Sequence, residues 1–354
     1  MKKIIIALGA CFILSVGIIF ILHALSTEMI FNNNSFIRIF PSHAMDQQDH
    51  AIDLKFNSYY IAGADRDHVY LSNYIAPLTM LIANSALTDT QRVRLKIKNL
   101  DKLRFTAITV KIDSPYFYIT DGVLPGIFRG RVGIWEADRF MSDSVYFSAA
   151  IPITPNSFAL RANARTSKED FLLKHSKIPT LSKRAPELLQ KQIDGVFCTD
   201  GMIIKSSELN ELVYLYYYRN QFIVADTSFN LKYRAHTIDT VTKAKIKVSH
   251  TTSGEYNTSG LASPSAVVNR QVCTFRKWLF VNSNLMSRND TKESFQSGAV
   301  VDVYDLENSG AYKFSFRLYD HNGKRMHSFL ASPNNLFVIN GSLLLSYKPA
   351  ERYF

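Results

Sequence analysis

Cysteine is scarce in this sequence, with three among 354 residues. A domain of that size cannot be stapled by disulfides and has to hold itself together through its core. Cys11 falls inside an apolar N-terminal run. Cys198 and Cys273 sit in apolar, strand-like contexts where a cysteine serves as a small buried hydrophobe, and a bridge between the two stays open. Glycine (15) and proline (11) are sparse and no tract is of low complexity, which excludes a disordered or collagen-like chain. Familiar catalytic and cofactor spacings are missing as well: there is no His-Glu-x-x-His, Gly-x-Ser-x-Gly, phosphate loop, Cys-x-x-Cys or dinucleotide glycine fingerprint. A standard hydrolase or nucleotide enzyme is therefore disfavoured. Sites gathered from single residues of distant segments leave no local motif and escape this exclusion.

What the chain does have is basic charge, net +11 with a pI near 9.4. Such a balance suits nucleic acid, an anionic membrane surface or an acidic polymer. The cations are scattered (Lys96, Lys98, Arg129, Arg131, Lys243, Lys245) rather than gathered in one run, so they read as a solvated basic surface. Lys2 and Lys3 precede an almost uninterrupted apolar run from Ile4 to Leu25. Its length of about 22 residues, at about 1.5 Å per residue, crosses the roughly 30 Å core of a bilayer. The basic flank belongs on the cytoplasmic side, which puts the remaining chain outside, in the periplasm or at the cell surface. An exported chain meets no nucleic acid. Ala24-Leu25-Ser26 has the small-residue spacing of a signal-peptidase site, but secretory apolar regions are shorter. Residues 1–26 thus read as an inner-membrane anchor, with a cleaved signal as the alternative. Leu8-Gly9-Ala10-Cys11 resembles a lipoprotein box, yet too few apolar residues precede it, and Cys11 reads as a small residue in a membrane helix.

Residues 27–50 are mostly polar, interrupted by Phe36-Ile37-Arg38-Ile39-Phe40, and read as a stem between membrane and domain. From there to residue 354 short runs rich in β-branched and aromatic residues recur between turn residues, and helical periodicity is rare. One group comprises Tyr59–Ala62, Val69–Leu71, Leu78–Ile82 and Val93–Ile97; another Ile108–Val110, Phe117–Ile119, Gly133–Trp135 and Val145–Phe147. Gly195–Cys198, Met202–Ile204, Leu212–Tyr216 and Phe222–Asp226 form a third group, and Val272–Phe275, Trp278–Val281, Val300–Tyr304 and Tyr312–Phe316 a fourth. Four short strands repeated every 40 to 50 residues or so predict an all-β, propeller-like fold of five or six blades, because a four-stranded blade buries its faces only against its neighbours. Strands over 328–347 supply part of a last blade, which a strand near 52–62 completes, closing the ring and removing exposed sheet edges. Residues 161–192 are least regular. Ser167-Lys168-Glu169-Asp170 has the pattern of a capping box and Pro186 suits a first helical turn, so a short helical insertion or a distorted blade is expected there.

Asp194-Gly195-Val196-Phe197-Cys198-Thr199-Asp200-Gly201, Tyr218-Arg219-Asn220-Gln221-Phe222-Ile223-Val224 and Val301-Asp302-Val303-Tyr304-Asp305-Leu306 resemble segments of uncharacterised bacterial exported proteins of β-propeller type. The resemblance covers most of the chain after about residue 55. It implies a fold and a compartment, and no activity.

Six residues stand out as candidates for ligand binding. Asp65, Asp67 and His68 form the densest polar cluster, able in principle to hold a cation or do acid–base work; between two strands, the same residues make a hydrated turn. Tyr217 and Arg219 belong to Tyr216-Tyr217-Tyr218-Arg219-Asn220-Gln221, where alternation points Tyr216 and Tyr218 one way and Tyr217 the other. His236, three residues before Asp239, has no nucleophile to pair with. Asp302, Asp305 and Glu307 could give oxygen ligands to Ca²⁺, but the spacing is not that of an EF-hand. The expectation is a membrane-tethered module that binds a protein or peptide partner on its loop face or in its channel, with no cofactor. Two other classes remain: an exported hydrolase or lactonase-like propeller enzyme using Ca²⁺ or another divalent cation, and a receptor for an anionic glycan.

Overall fold

Short apolar runs bounded by Asp, Asn and Gly turns fold as antiparallel sheets in a computed structural model that describes residues 2–31, 34–98, 106–142, 145–163, 169–253, 256–263 and 265–354. Six sheets stand in a ring as the blades of a β-propeller. In chain order blade 1 spans residues 59–94, blade 2 96–142, blade 3 147–185, blade 4 201–236 and blade 5 269–319; blade 6 combines 326–349 with 45–53. Each has four antiparallel strands, the first innermost, and blade 2 adds the two-residue strand Lys96–Ile97 at its outer edge. A hairpin of Val248–Ser253 and Tyr256–Leu261 stands apart in the link between blades 4 and 5. The N-terminal helix Lys2–Phe31 contains an apolar stretch, Lys3–Leu22, long enough to cross a membrane.

The ring is held by burial between blades. Blade 1 meets blade 2 through Met80, Ile82, Phe117 and Phe128, among others. Equivalent clusters join blades 2 and 3 around Tyr118 and Phe158, 3 and 4 around Leu172 and Tyr214, 4 and 5 around Phe222 and Tyr304, 5 and 6 around Phe280 and Phe316, and 6 and 1 around Phe337 and Leu71. Second strands are covered on both faces. Glu211–Tyr216 and Trp278–Ser283 are buried along their whole length, while the outermost strand of blade 1, Thr90–Arg94, is largely exposed. Innermost strands approach so closely that a Cβ on Gly63 of blade 1 would lie 2.7 Å from the Ile112 carbonyl oxygen of blade 2.

Closure comes from the N-terminal side. Met45–Asp53 pairs with Leu343–Pro349 as the outermost strand of blade 6, so the ends of the folded chain lock each other. The completing strand thus begins earlier than the 52–62 expected. Nor are residues 34–44 a free stem. They run down the outer edge of blade 5, where the Ser315 N–H donates to the Ile39 carbonyl (2.7 Å) and Phe36 packs on Val268 and Leu285. Arg38 turns inward and is fully buried. Its Nε donates to Asp302 Oδ1 (2.7 Å), Nη2 to Asp302 Oδ2 (3.1 Å), and Nη1 to Asp290 Oδ2 (3.0 Å) and the Leu285 carbonyl (2.9 Å). In this strap over the sheet edge Phe36 and Arg38 face inward, and Ile37 and Ile39 outward.

Of the two expectations for residues 161–192 the blade is the one that forms, not the helical insertion: the described residues there hold the end of Ser157–Asn163, the strands Asp170–Lys177 and Thr180–Ala185, and the 3₁₀ turn Pro186–Leu188. Ser167 and Lys168 of the supposed capping box lie outside the described residues; Asp170 begins a strand and pairs with Asn163. Gly195–Cys198 is a loop before blade 4 and Gly133–Trp135 a turn, with Gly133 at φ 91°. Cys198 and Cys273 are both buried, free and in different clusters, so no bridge joins them.

Arg38→Ala leaves the buried Asp302 carboxylate without its cation, while Asp290 keeps Arg317, and should cost about 3–5 kcal/mol of stability. Lys98→Ala, at an exposed 3.0 Å pair with Asp138, should leave stability unchanged within the error of the measurement. Urea denaturation followed by tryptophan fluorescence checks both.

Candidate functional site

Because every innermost strand runs in the same direction, the loops sort onto two faces. One face gathers the links between blades and the loops between second and third strands. Asn34 docks there, its Nδ2 donating to the Met286 carbonyl (2.7 Å), and we call it the stem face. The far face carries the turns between first and second strands. The six candidate residues divide between them.

Asp65, Asp67 and His68 make a far-face turn of blade 1. The Asp65 carboxylate is occupied: Oδ1 accepts from the N–H groups of Asp67 (3.0 Å) and His68 (2.9 Å), and Oδ2 from the Tyr70 hydroxyl (2.7 Å). This is an Asx turn that sets the hairpin. Tyr217, Arg219 and His236 lie on the stem face of blade 4. Tyr217 is half-buried, and burial pushes its phenol up to about 12. Its N–H donates to the Asp200 carbonyl and its carbonyl accepts from Val268 and Asn269, tying the segment before blade 4 to the start of blade 5.

Arg219 and His236 converge on one cleft of about 380 Å³, lined also by Gln190, Lys191, Gln192, Gln221 and Thr242. Its walls come from the loop entering blade 4, the turn after Tyr216 and the segment leaving Leu231–His236. Arg219 is scaffold. It lies 3.6 Å over the Tyr216 ring and donates from Nη2 to the Gln190 carbonyl (2.7 Å), holding the wall formed by residues 190–192. Gln221 sits opposite His236 in the strand register, and its amide Nε2 donates to Gln190 Oε1 (3.3 Å). Gln192 bridges Thr242 and Ala244, donating to the Thr242 carbonyl (2.9 Å) and accepting from the Ala244 N–H (2.9 Å). The cleft thus presents three amides and an imidazole, groups that offer donors and acceptors, beside one ammonium, Lys191, which pairs with Glu169 (2.7 Å). Two clefts of similar volume open on the far face, one beside Phe275 and Arg276 and one beside Ile178 and Leu181.

Beside the cleft, Arg161 pairs with Asp170 and with Asp200 (2.8 Å), and its Nη1 bonds the Ser148 hydroxyl (3.0 Å). Burial pushes the carboxyls of Asp170 and Asp200 upward while Arg161 pulls them back. The group stitches blade 3 to blade 4. The candidate Ca²⁺ ligands are likewise spent: Asp302 serves Arg38 and the Ser315 hydroxyl (2.6 Å), and Asp305 caps the 3₁₀ turn Leu306–Asn308. Among the described residues no three of His, Cys, Asp and Glu gather at metal-ligand distances.

No protein-family model matches this sequence, and no curated protein matches it. Among solved structures, a Bacteroides fragilis protein described as exported superposes with a TM-score of 0.55 at 9% identity, aligning 90% of this chain with 99% of that one. The two share a fold. At that identity nothing more follows. A protein of Agrobacterium tumefaciens described as TolB reaches 0.45 at 10% identity, over 86% of this chain and 98% of that one. A chain of the nidogen/laminin complex reaches 0.46 at 10% identity, over 77% and 82%. Likenesses below 0.5 are too loose to build on.

Gln190, Gln192 and Gln221 escaped the reading of the sequence. The signal was present: Gln190-Lys191-Gln192 is a polar triplet directly after the buried Leu188 and Leu189, but no motif marks amides as a site.

Asp239, behind the cleft, accepts from the Thr237 hydroxyl (2.6 Å) and the Val241 N–H (2.9 Å), yet burial raises its carboxyl to about 6. The fold therefore favours the protonated form. Its penalty is absent below about pH 4, grows as pH rises towards 6 and is complete above that. Asp239→Asn removes the charge and keeps the bond from the Val241 N–H, with the amide Nδ2 donating to the Thr237 hydroxyl oxygen in place of the bond it gave. The variant should gain on the parent protein as pH goes from 4 to 7, by roughly 2–3 kcal/mol at the upper end; urea titrations at several pH values check this.

Proposed function

We propose that this chain is a membrane-tethered, extracytoplasmic binding module that takes a segment of a protein or peptide partner in the stem-face cleft of blade 4. The helix Lys2–Phe31 serves as an inner-membrane anchor, with the propeller in the periplasm or at the cell surface. Its apolar stretch and the lysines before it support this reading. The observation that carries the binding function is the lining of the cleft, where Gln190, Gln192, Gln221 and His236 stand on a wall fixed by the buried Arg219. Neutral donors and acceptors suit the amides of an extended chain, and a rigid wall lowers the ordering cost of binding it.

Site-specific photo-crosslinking in cells tests the proposal. A photoreactive residue in place of Gln221 should capture a discrete polypeptide, and the same residue in place of Ile178 on the far face should not; identical adducts from both positions would sink the reading. His236→Ala, made in the chain that carries the photoreactive residue at position 221, should weaken capture about five-fold, the loss of about one net hydrogen bond. The module is proposed to need no cofactor, so Ca²⁺ and Zn²⁺ should leave its thermal unfolding unchanged. A saturable upward shift would instead point to the cation-dependent enzyme class.

A further inference from the structure

The stem face is where the anchor arrives. Helix Lys2–Phe31 ends three residues before Asn34, which is fastened to Met286. From Leu22, the end of the apolar stretch, nine helical residues rise about 14 Å and three more add at most about 10 Å. Asn34 is therefore held within roughly 25 Å of the membrane boundary, and the face it sits on is held there with it.

That face bears apolar side chains at its loop tips. Phe56 is 63% exposed, Ile75 84% and Ile193 58%, with Leu124 beside them. They come from the link into blade 1, the second turns of blades 1 and 2, and the link into blade 4, so they are spread around the ring. Between blades 4 and 5 the chain alternates: Lys243, Lys245 and Lys247 are exposed while Ala244 and Ile246 are buried, which turns three ammonium groups outward together. Large apolar side chains beside lysines are the composition of surfaces that sit in a lipid interface, the apolar groups among the headgroups and the cations on anionic lipid. The far face also exposes apolar side chains, at Ile134, Ile178 and Leu181, so exposure alone does not choose between the faces. The tether does.

We propose that the stem face is a bilayer-docking surface, in which Phe56, Ile75, Leu124 and Ile193 enter the headgroup region and Lys243, Lys245 and Lys247 contact anionic lipid. This rests on the anchor of the preceding reading but not on its cleft. It adds that the cleft opens at the membrane surface, so its partner is a polypeptide presented there.

The test uses the full chain carrying Cys11→Ser, reconstituted in vesicles containing anionic phospholipid, some with a quencher on the acyl chain. Single cysteines for an environment-sensitive dye replace Ile75, Leu124 or, on the far face, Ile178; Cys198 and Cys273 are buried. Flotation with the vesicles reports the anchor, and quenching reports the face. The expected result is flotation with quenching about two-fold or more at positions 75 and 124 and none at 178. Flotation with equal, water-like signals at all three positions overturns the docking surface and leaves the anchor standing. Protection of positions 75 and 124 that arises only with a second polypeptide assigns the face to a protein and also overturns it. A chain that fails to float removes the anchor and this proposal together.

Discussion

Each four-stranded blade has two apolar faces that nothing within the blade can cover, and everything else in the molecule follows from covering them. Six sheets solve the problem by facing one another in a ring, with a cluster of aromatic and aliphatic side chains at every junction. A ring has no terminal blade, so the solution holds only if it closes. Closure rests on Met45–Asp53 beside Leu343–Pro349, and the strap of residues 34–44, pinned by Arg38 in its carboxylate pocket, delivers that strand. A buried ion pair is a weak source of net stability but a strong source of register, because any other placement strands its charges.

The same architecture decides where polar groups are free to act. Central strands are closed to solvent, so polar residues that do not stitch blades together are pushed to loop tips. Most prominent carboxylates are spent on the chain itself: Asp65 and Asp305 cap turns, Asp170 and Asp200 balance Arg161, and Asp302 balances Arg38. What lines the blade 4 cleft is three glutamine amides, a histidine and one lysine. That cleft lies on the face to which the N-terminal helix leads.

The sequence by itself determined the all-β class, the four-strand repeat, the blade over 269–319 strand by strand, and the apolar N-terminal helix. These are local properties: β-branched and aromatic runs, turn residues and uninterrupted apolar length are written in consecutive residues. Only the tertiary structure decided the count of six, the strand that closes the ring, the strap formed from an apparent stem, and the strands in place of a helix over 161–192. Each depends on pairing between distant residues, such as Arg38 with Asp302 or Met45 with Pro349. The candidate residues show the same division. Arg219 and His236 were visible as unusual residues and do share a cleft, but Gln190 joins them from another loop, and Asp65, Asp67 and His68 fall on the opposite face. Side-chain type is local; which side chains share a surface depends on how the ring closes.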